Sequence, residues 1–362
     1  MNAFFIAGVQ RSGTTLLSVI LSKHPDIYLD GYSRAFRIIT CFNGYYDVLP
    51  HNLQHRKEEL LAWMIENDYK GMLAELLDYK NIDQYPDIRS LLRASLDQHL
   101  KKEGKRLWGD KSPNLQHFIP DLLMLMPEAR IIHMVRDGRA NAYSFVNRAH
   151  KSLSLSAQEW VNGNIFGLAN QHLIGAEQYK LVKYEDLLQE PEATVRDVCD
   201  FLDVPFAPEM MDLSDDQVPE EQRYVKSSFD ASKINRYAEV LTPKQIKKIE
   251  GLQAPLLKHF GYELHFPEML SKYRPLSLAR KIFLLLSEHW RHIFRSKRMG
   301  MINRQNVEVR IPFKSRIYNF LMKFTQELFS LQIFKALFPR VFYRKKYFEK
   351  SDTSPKQDHP VQ

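Results

Sequence analysis

Three clusters of residues in this 362-residue chain have types and spacings suited to chemistry. The first is Phe4-Phe5-Ile6-Ala7-Gly8-Val9-Gln10-Arg11-Ser12-Gly13-Thr14-Thr15, an apolar run followed by two glycines, one cation and three hydroxyls. A glycine-bounded loop that opens onto a helix aims several backbone N–H groups at one point, with the positive end of the helix dipole behind them. Such a loop holds an anion, and Arg11 adds a full charge inside it. The second cluster lies in Arg130-Ile131-Ile132-His133-Met134-Val135-Arg136-Asp137-Gly138-Arg139, where Arg136 leaves an apolar run and Ser144 follows two helical turns later. A guanidinium fork and a hydroxyl so placed converge on one phosphate. The plain alternative is a local Arg136–Asp137 ion pair and an ordinary helix serine. The third is Lys111, which ends the strand-like run in Leu107-Trp108-Gly109-Asp110-Lys111-Ser112-Pro113.

The spacing from Gly8 to Gly13 fits the nucleotide-binding P-loop pattern with one departure: Thr14 stands where that pattern requires Lys. In ATP and GTP enzymes the Lys reaches the β and γ phosphates and the next hydroxyl holds Mg²⁺, so its loss argues against ordinary phosphoryl transfer. Arg11 supplies the missing cation. The loop suits a donor whose terminal group carries less charge than a triphosphate and needs no metal. A P-loop nucleotide kinase stands as the alternative, and it would require Mg²⁺.

These clusters need elements to position them. Ala3 to Ala7 reads as a buried parallel strand, and Leu16, Leu17, Ile20 and Leu21 continue at helical spacing. Ile27-Tyr28-Leu29 is a short second strand ending at Asp30, on the carboxyl edge where open α/β sheets bind ligands. Residues 35–103 read as a mainly helical insertion, with Leu91, Leu92, Leu96 and Leu100 on one face. Further strands run through the Lys111 and Arg136 clusters and over Lys180-Leu181-Val182-Lys183-Tyr184, and helices over 114–126 and 158–176. His133 alternates with Ile132 and Met134 as a packed core histidine. Residues 203–240, rich in Pro, Ser, Asp and charge, read as a long lid-like loop. Thr242-Pro243 caps a last helix. The fold class is α/β, a P-loop-like parallel sheet flanked by helices.

Arg11-Ser12-Gly13-Thr14-Thr15, Lys111-Ser112-Pro113, the Arg136 to Ser144 segment and Tyr184-Glu185-Asp186-Leu187-Leu188 together resemble the sulfotransferases, above all their tyrosylprotein branch, over residues 2–265. The resemblance implies the sulfotransferase fold over residues 1–268. It also implies 3′-phosphoadenosine 5′-phosphosulfate (PAPS) as sulfuryl donor, adenosine 3′,5′-bisphosphate (PAP) as product, and no metal. It assigns the phosphosulfate end to Arg11, Ser12, Gly13, Thr14 and Thr15, the transferring sulfuryl group to Lys111, and the 3′-phosphate to Arg136, Ser144 and Arg148. Tyr184 would reach the adenine or serve as a core tyrosine. Lys233, of the pair Ser232-Lys233, would lie near the donor phosphates, with Arg236 as a second cation.

The implied reaction is in-line transfer of a sulfuryl group to an acceptor hydroxyl, which needs a general base. The tyrosylprotein branch uses a glutamate shortly after the second strand; that position here is Tyr32, while Arg34 is matched. Asp30 becomes the candidate base, although an Asp before Gly is also a common turn residue. The departure ranks a glycan, lipid or small-metabolite hydroxyl ahead of protein tyrosine as acceptor. A protein that binds the nucleotide without turnover is a third reading.

With 44% hydrophobic residues the chain can bury one large α/β core with an appendage. Cys41 and Cys199 show no metal or redox spacing and read as reduced core thiols. The N-terminal apolar stretch lacks a basic flank and is interrupted by Arg11-Ser12-Gly13. No run of about 18 uncharged apolar residues appears, so the plan reads as bacterial-like and cytoplasmic. The net charge of +8 is uneven: from Ser271 onward there are 20 Lys and Arg against six acidic residues, leaving 31 against 37 before it. The tail is therefore +14 and the body −6. Residues 269–350 read as a basic amphipathic helical extension, with Ile282, Phe283, Trp290, Phe320, Phe324 and Phe334 among its apolar positions, and 351–362 as a polar tail. An anionic membrane surface at 270–350 is the expected partner, against packing on the domain or a dimer contact. No nucleic acid is expected, because no recognition motif accompanies the charge.

Overall fold

The computed structural model describes residues 3–30, 84–85, 88–112, 114–149, 152–213 and 229–277, with isolated positions at 81, 280, 281 and 284. Tyr32, Arg34, Cys41, most of the 35–103 insertion and the extension beyond residue 284 lie outside the described residues, as does the side chain of Arg148.

Five parallel strands form one sheet in the order β2-β3-β1-β4-β5. They are β1 (Ala3–Gly8), β2 (Ile27–Asp30), β3 (Leu107–Lys111), β4 (Arg130–Val135) and β5 (Tyr179–Lys183). Every residue of β1 is buried, as expected of a central strand covered on both faces. Alternation divides its side chains between two cores. Ala3, Phe5 and Ala7 pack with Leu91, Leu96, Ile119 and Leu122 on one face. Phe4 and Ile6 pack with Leu17, Ile20, Leu187 and Val198 on the other.

The helices follow from sequence signals. Helix α1 (Thr14–Ser22) starts after Gly13, which lies in the left-handed region. Helix α2 (Ile88–Glu103) buries Leu91, Leu92, Leu96 and Leu100 as their spacing requires. The helix expected over 114–126 is broken: Leu115–His117 is a 3-10 turn and α3 (Ile119–Leu125) begins anew, because Pro120, its second residue, has no N–H to continue a helix from the preceding turn. Helix α4 (Gly138–Ala149) leads into α5 (Leu153–Ile174). The latter starts earlier than the expected residue 158, since the Ser152 hydroxyl accepts from the Leu155 N–H and caps it. Helices α6 (Tyr184–Gln189), α7 (Pro191–Leu202), α8 (Arg236–Val240) and α9 (Pro243–His259) follow among the described residues, the last opened by a Thr242–Gln245 capping box.

The stretch expected to be a lid-like loop over 203–240 differs at both ends. Pro208–Met211 is a 3-10 turn that drives Met210 into the core, with Leu213 buried beside it; Ala231–Lys233 and α8 add further helical turns. Residues 214–228 lie outside the described set. The first compact unit spans Met1–Lys281. The Arg274 N–H donates to the Gly251 carbonyl and the Leu276 N–H to Gln158 Oε1, which fixes that segment to α9 and α5. Among the described residues no helix is long and apolar enough to cross a membrane.

Candidate active site

After β1 the chain leaves toward β2 on one side, and after β4 it leaves toward β5 on the other. The carboxyl ends of β1 and β4 are therefore adjacent at a switch in direction, where open α/β sheets bind ligands. The cradle loop, residues 9–13, sits there. Helix α1 has no side-chain cap at Gly13, so its first-turn N–H groups are available to an anion. Gly13 has φ +94, and a Cβ on it would come within 2.4 Å of the Tyr184 ring. Arg11 also takes a left-handed conformation, φ 72. That costs an L-residue about 1–2 kcal/mol and must be held by its surroundings.

The holding contacts come from β4 and α4. Arg136 Nη1 donates to the Arg11 carbonyl at 3.3 Å, and Arg11 Nε donates to the Ser144 hydroxyl at 3.1 Å. Asn141 Nδ2 donates to the Gln10 carbonyl at 2.9 Å and to the Ser12 hydroxyl at 3.1 Å. On the far side of the loop, the Gly8 N–H donates to Gln116 Oε1 and the Gly8 carbonyl accepts from the Asn114 N–H. The cradle and the Arg136–Ser144 cluster are thus one constellation.

Arg136 does not pair with Asp137. Both carboxylate oxygens of Asp137 accept from Arg139, at 3.0 and 2.7 Å, and Arg139 also pairs with the buried Glu250 at 2.7 Å. The Arg136 guanidinium instead lies 4.5 Å from the Tyr184 ring centroid, its Nε buried without a hydrogen-bond partner. Trp160 Nε1 holds the Arg136 carbonyl at 2.9 Å. Glu185 ties the two strand ends together: it accepts from the Asp137 N–H at 3.0 Å and the Tyr262 hydroxyl at 2.8 Å, and burial pushes its carboxyl above the usual range.

The remaining expected residues fall as follows. Ser12 and Thr14 are buried in the loop and the first turn of α1, with Thr15 partly so. Lys111 ends β3 opposite Ile6 of β1, and the chain just beyond it bonds to Gly8 through Asn114. Burial lowers its ammonium pKa, and the neighbouring Asp110 acts in the opposite sense. Tyr184 is half-buried between Gly13 and Arg136. Lys233 pairs with Asp230 at 3.1 Å on a 3-10 turn that packs against α6. Asp30 pairs in register with Asp110, so β3 stands between it and β1. His133 is fully buried, both ring nitrogens unpartnered and its pKa drawn down to about 4 by burial, as a core histidine. Cys199 is a buried free thiol.

Sequence reasoning missed Asn141, Gln116 and the Arg139–Glu250 pair. Asn141 had a signal: it precedes Ser144 by three positions, which puts both on one face of α4. Gln116 and Glu250 had none, being brought in by long-range packing.

An open parallel sheet flanked by helices, with a glycine loop between its central strand and the first helix, defines an α/β domain of the P-loop-like kind. The chain belongs to the sulfotransferase family, whose model matches residues 3–208. A putative protein-tyrosine sulfotransferase of Caenorhabditis briggsae is 24% identical over 282 residues, 72% of this chain and 88% of that protein. Protein-tyrosine sulfotransferase 1 of Danio rerio is 25% identical over 284 residues, 73% of each chain. The solved sulfotransferase domain of the Synechococcus PCC 7002 olefin synthase shares the fold, with a TM-score of 0.50 at 23% identity, covering 73% of this chain and 96% of that one.

Proposed function

We propose that the protein transfers a sulfuryl group from PAPS to an acceptor hydroxyl and releases PAP. One observation carries the reading: Arg11 bonds to Ser144, so the cradle and the Arg136 cluster form a two-part site for a ligand with anionic groups at both ends of one ribose. The residues fit such a ligand. Arg136 Nε is a buried donor without a partner, and α1 opens with no side-chain cap.

When bound, PAPS supplies the sulfuryl group and a bisphosphate leaving group. The α1 N-terminus, Thr14 and Thr15 hold the 5′ anion. Arg11 and Lys111 set positive charge against the negative charge that develops on the bridging and outer oxygens. Arg136 and Ser144 hold the 3′-phosphate, with Arg148 in the same role. Tyr184 braces the site against Gly13, and Lys233 closes it from its 3-10 turn. The acceptor oxygen bonds to sulfur as the sulfur–oxygen bond to the phosphate breaks, and the acceptor proton passes to a base. Asp30, at the carboxyl end of β2, is the proposed base, and unchanged turnover in Asp30→Asn would remove it from that role.

The acceptor has two candidate classes. Tyr32, in place of the glutamate of the tyrosylprotein branch, favours a glycan, lipid or metabolite hydroxyl. The names of the relatives favour protein tyrosine. PAPS carrying radioactive sulfate, added to fractionated extract and to tyrosine peptides, separates them, with Arg11→Ala as the inactive control. No PAP release with any acceptor would leave a nucleotide-binding protein without turnover. Tighter binding of ATP than of PAP would favour a kinase.

The basic stretch 270–350 is proposed to rest on an anionic membrane surface from the cytoplasmic side, since its charge of either sign is so unequal. Flotation of the full chain, but not of residues 1–281, with vesicles containing phosphatidylserine is the expected result. Equal flotation of both would end the idea.

A further inference from the structure

We infer that Asn141 is a positioning residue that sets the shape of the anion cradle, and that its loss weakens the 5′ half of the donor site selectively. The inference rests on the donor reading above. Asn141 is fully buried on α4. Its Nδ2 spends one hydrogen on the Gln10 carbonyl at 2.9 Å and directs the other to the Ser12 hydroxyl at 3.1 Å. The Gln10 carbonyl can only accept, which fixes which way the amide faces. One side chain therefore pins the residues on both sides of Arg11.

Arg11 needs pinning. It is one of three non-glycine residues with positive φ among the described residues, at 72°, and the loop around it must supply what that conformation costs. Ser144, one helical turn beyond Asn141 on the same face of α4, accepts from Arg11 Nε. Arg136 donates to the Arg11 carbonyl. Helix α4 and the segment after β4 thus hold residues 10, 11 and 12 in turn, and two of these contacts come from Asn141. Both donor hydrogens of Asn141 go to the loop, so it acts through the loop rather than on the nucleotide.

Without that amide the Gln10 carbonyl loses a buried partner, the loop relaxes, and the first-turn N–H groups of α1 and the Arg11 fork no longer converge. Arg136 and Ser144 lose only their contacts to Arg11 and keep their own seats after β4 and on α4, so the 3′ half is disturbed less. Titration calorimetry of the full chain with PAP and with 3′-AMP, which carries only the 3′-phosphate, separates the halves. In Asn141→Ala the expected result is PAP binding weaker by about tenfold, with 3′-AMP affinity within about twofold of wild type. Thermal unfolding confirms the fold. Asn141→Ser, which keeps a short donor, should fall between, and it serves as the variant if the alanine form does not fold. Unchanged PAP affinity, or equal loss for both nucleotides, overturns the inference. A wild type that binds neither nucleotide overturns the donor reading, and the inference with it.

Discussion

Arg11 Nε donates to the hydroxyl of Ser144 at 3.1 Å across 133 residues of chain. The cation of the loop and the hydroxyl on α4, both proposed to meet the donor, are therefore already partners in the ligand-free protein. A ligand that engages both must reorganise one shared contact, and changes at the two positions should not add. In a double-mutant cycle on PAP affinity, Arg11→Lys and Ser144→Ala should show a coupling of about 0.5–3 kcal/mol. Arg11→Lys alone should lower kcat by roughly a hundredfold or more, because a lysine cannot reproduce the fork. Strict additivity would mean that the contact does not matter to binding.

Lys111 carries its charge in a partly buried place. Burial lowers its pKa, against the smaller opposite effect of Asp110. If the ammonium stabilises the transferring group, kcat must fall on the alkaline side as it loses its proton, earlier than an exposed lysine would allow. Lys111→Arg should move that limb to higher pH while lowering kcat at neutrality. A pH profile with the same alkaline limb in both forms would assign it to another group.

Gly13 is constrained twice, by φ +94 and by the Tyr184 ring, 2.4 Å from where a Cβ would lie. Gly13→Ala should cost about 1–3 kcal/mol in urea unfolding and abolish PAP binding. Adding Tyr184→Ala relieves the clash but not the backbone conformation, so stability should recover only in part. Full recovery would show that the ring contact alone sets the requirement.

His133 makes the fold sensitive to acid. Its pKa is about 4 in the folded protein against an ordinary 6.5. Between those values the unfolded chain holds the extra proton and the folded chain does not. Stability is therefore fully present above about pH 6.5 and is lost as pH falls toward 4, by roughly 3 kcal/mol over the whole excursion. In His133→Leu the fall in Tm between pH 7 and pH 4.5 should be shallower than in wild type. An identical slope would place the acid sensitivity elsewhere.

The strand, loop and helix start around Gly8 and Gly13 were legible because their signals are local. The Phe4 to Ala7 run, the two glycines and the hydroxyls specify a strand, a loop and a helix start within a dozen residues, and each appears where expected. Arg136 and Ser144 stood out in the sequence, but their partners in the fold, Arg11 for both, did not. The nearest acid, Asp137, went to Arg139 because Glu250 and the Glu263 carbonyl draw that guanidinium into the core, and no local pattern reports a contact over 111 residues. The turn at Pro120 and the cap at Ser152 were readable but outweighed by apolar periodicity. The acceptor side was the least legible, since Asp30 depends on neighbours far along the chain and Tyr32 departs from the family pattern.

The central strand β1 is hemmed by β3 and β4, and its loop is pinned from α4 by contacts 131 and 133 residues downstream. A ribosome releases Phe4, Phe5 and Ile6 long before the segments that cover them, so that sticky strand must wait uncovered or in the care of a chaperone. Completion of the loop's surroundings is consequently a late event in the life of the molecule. A fragment that stops short of α4 should have no grip on PAP, and the appearance of PAP binding during refolding would time the final closure of the domain.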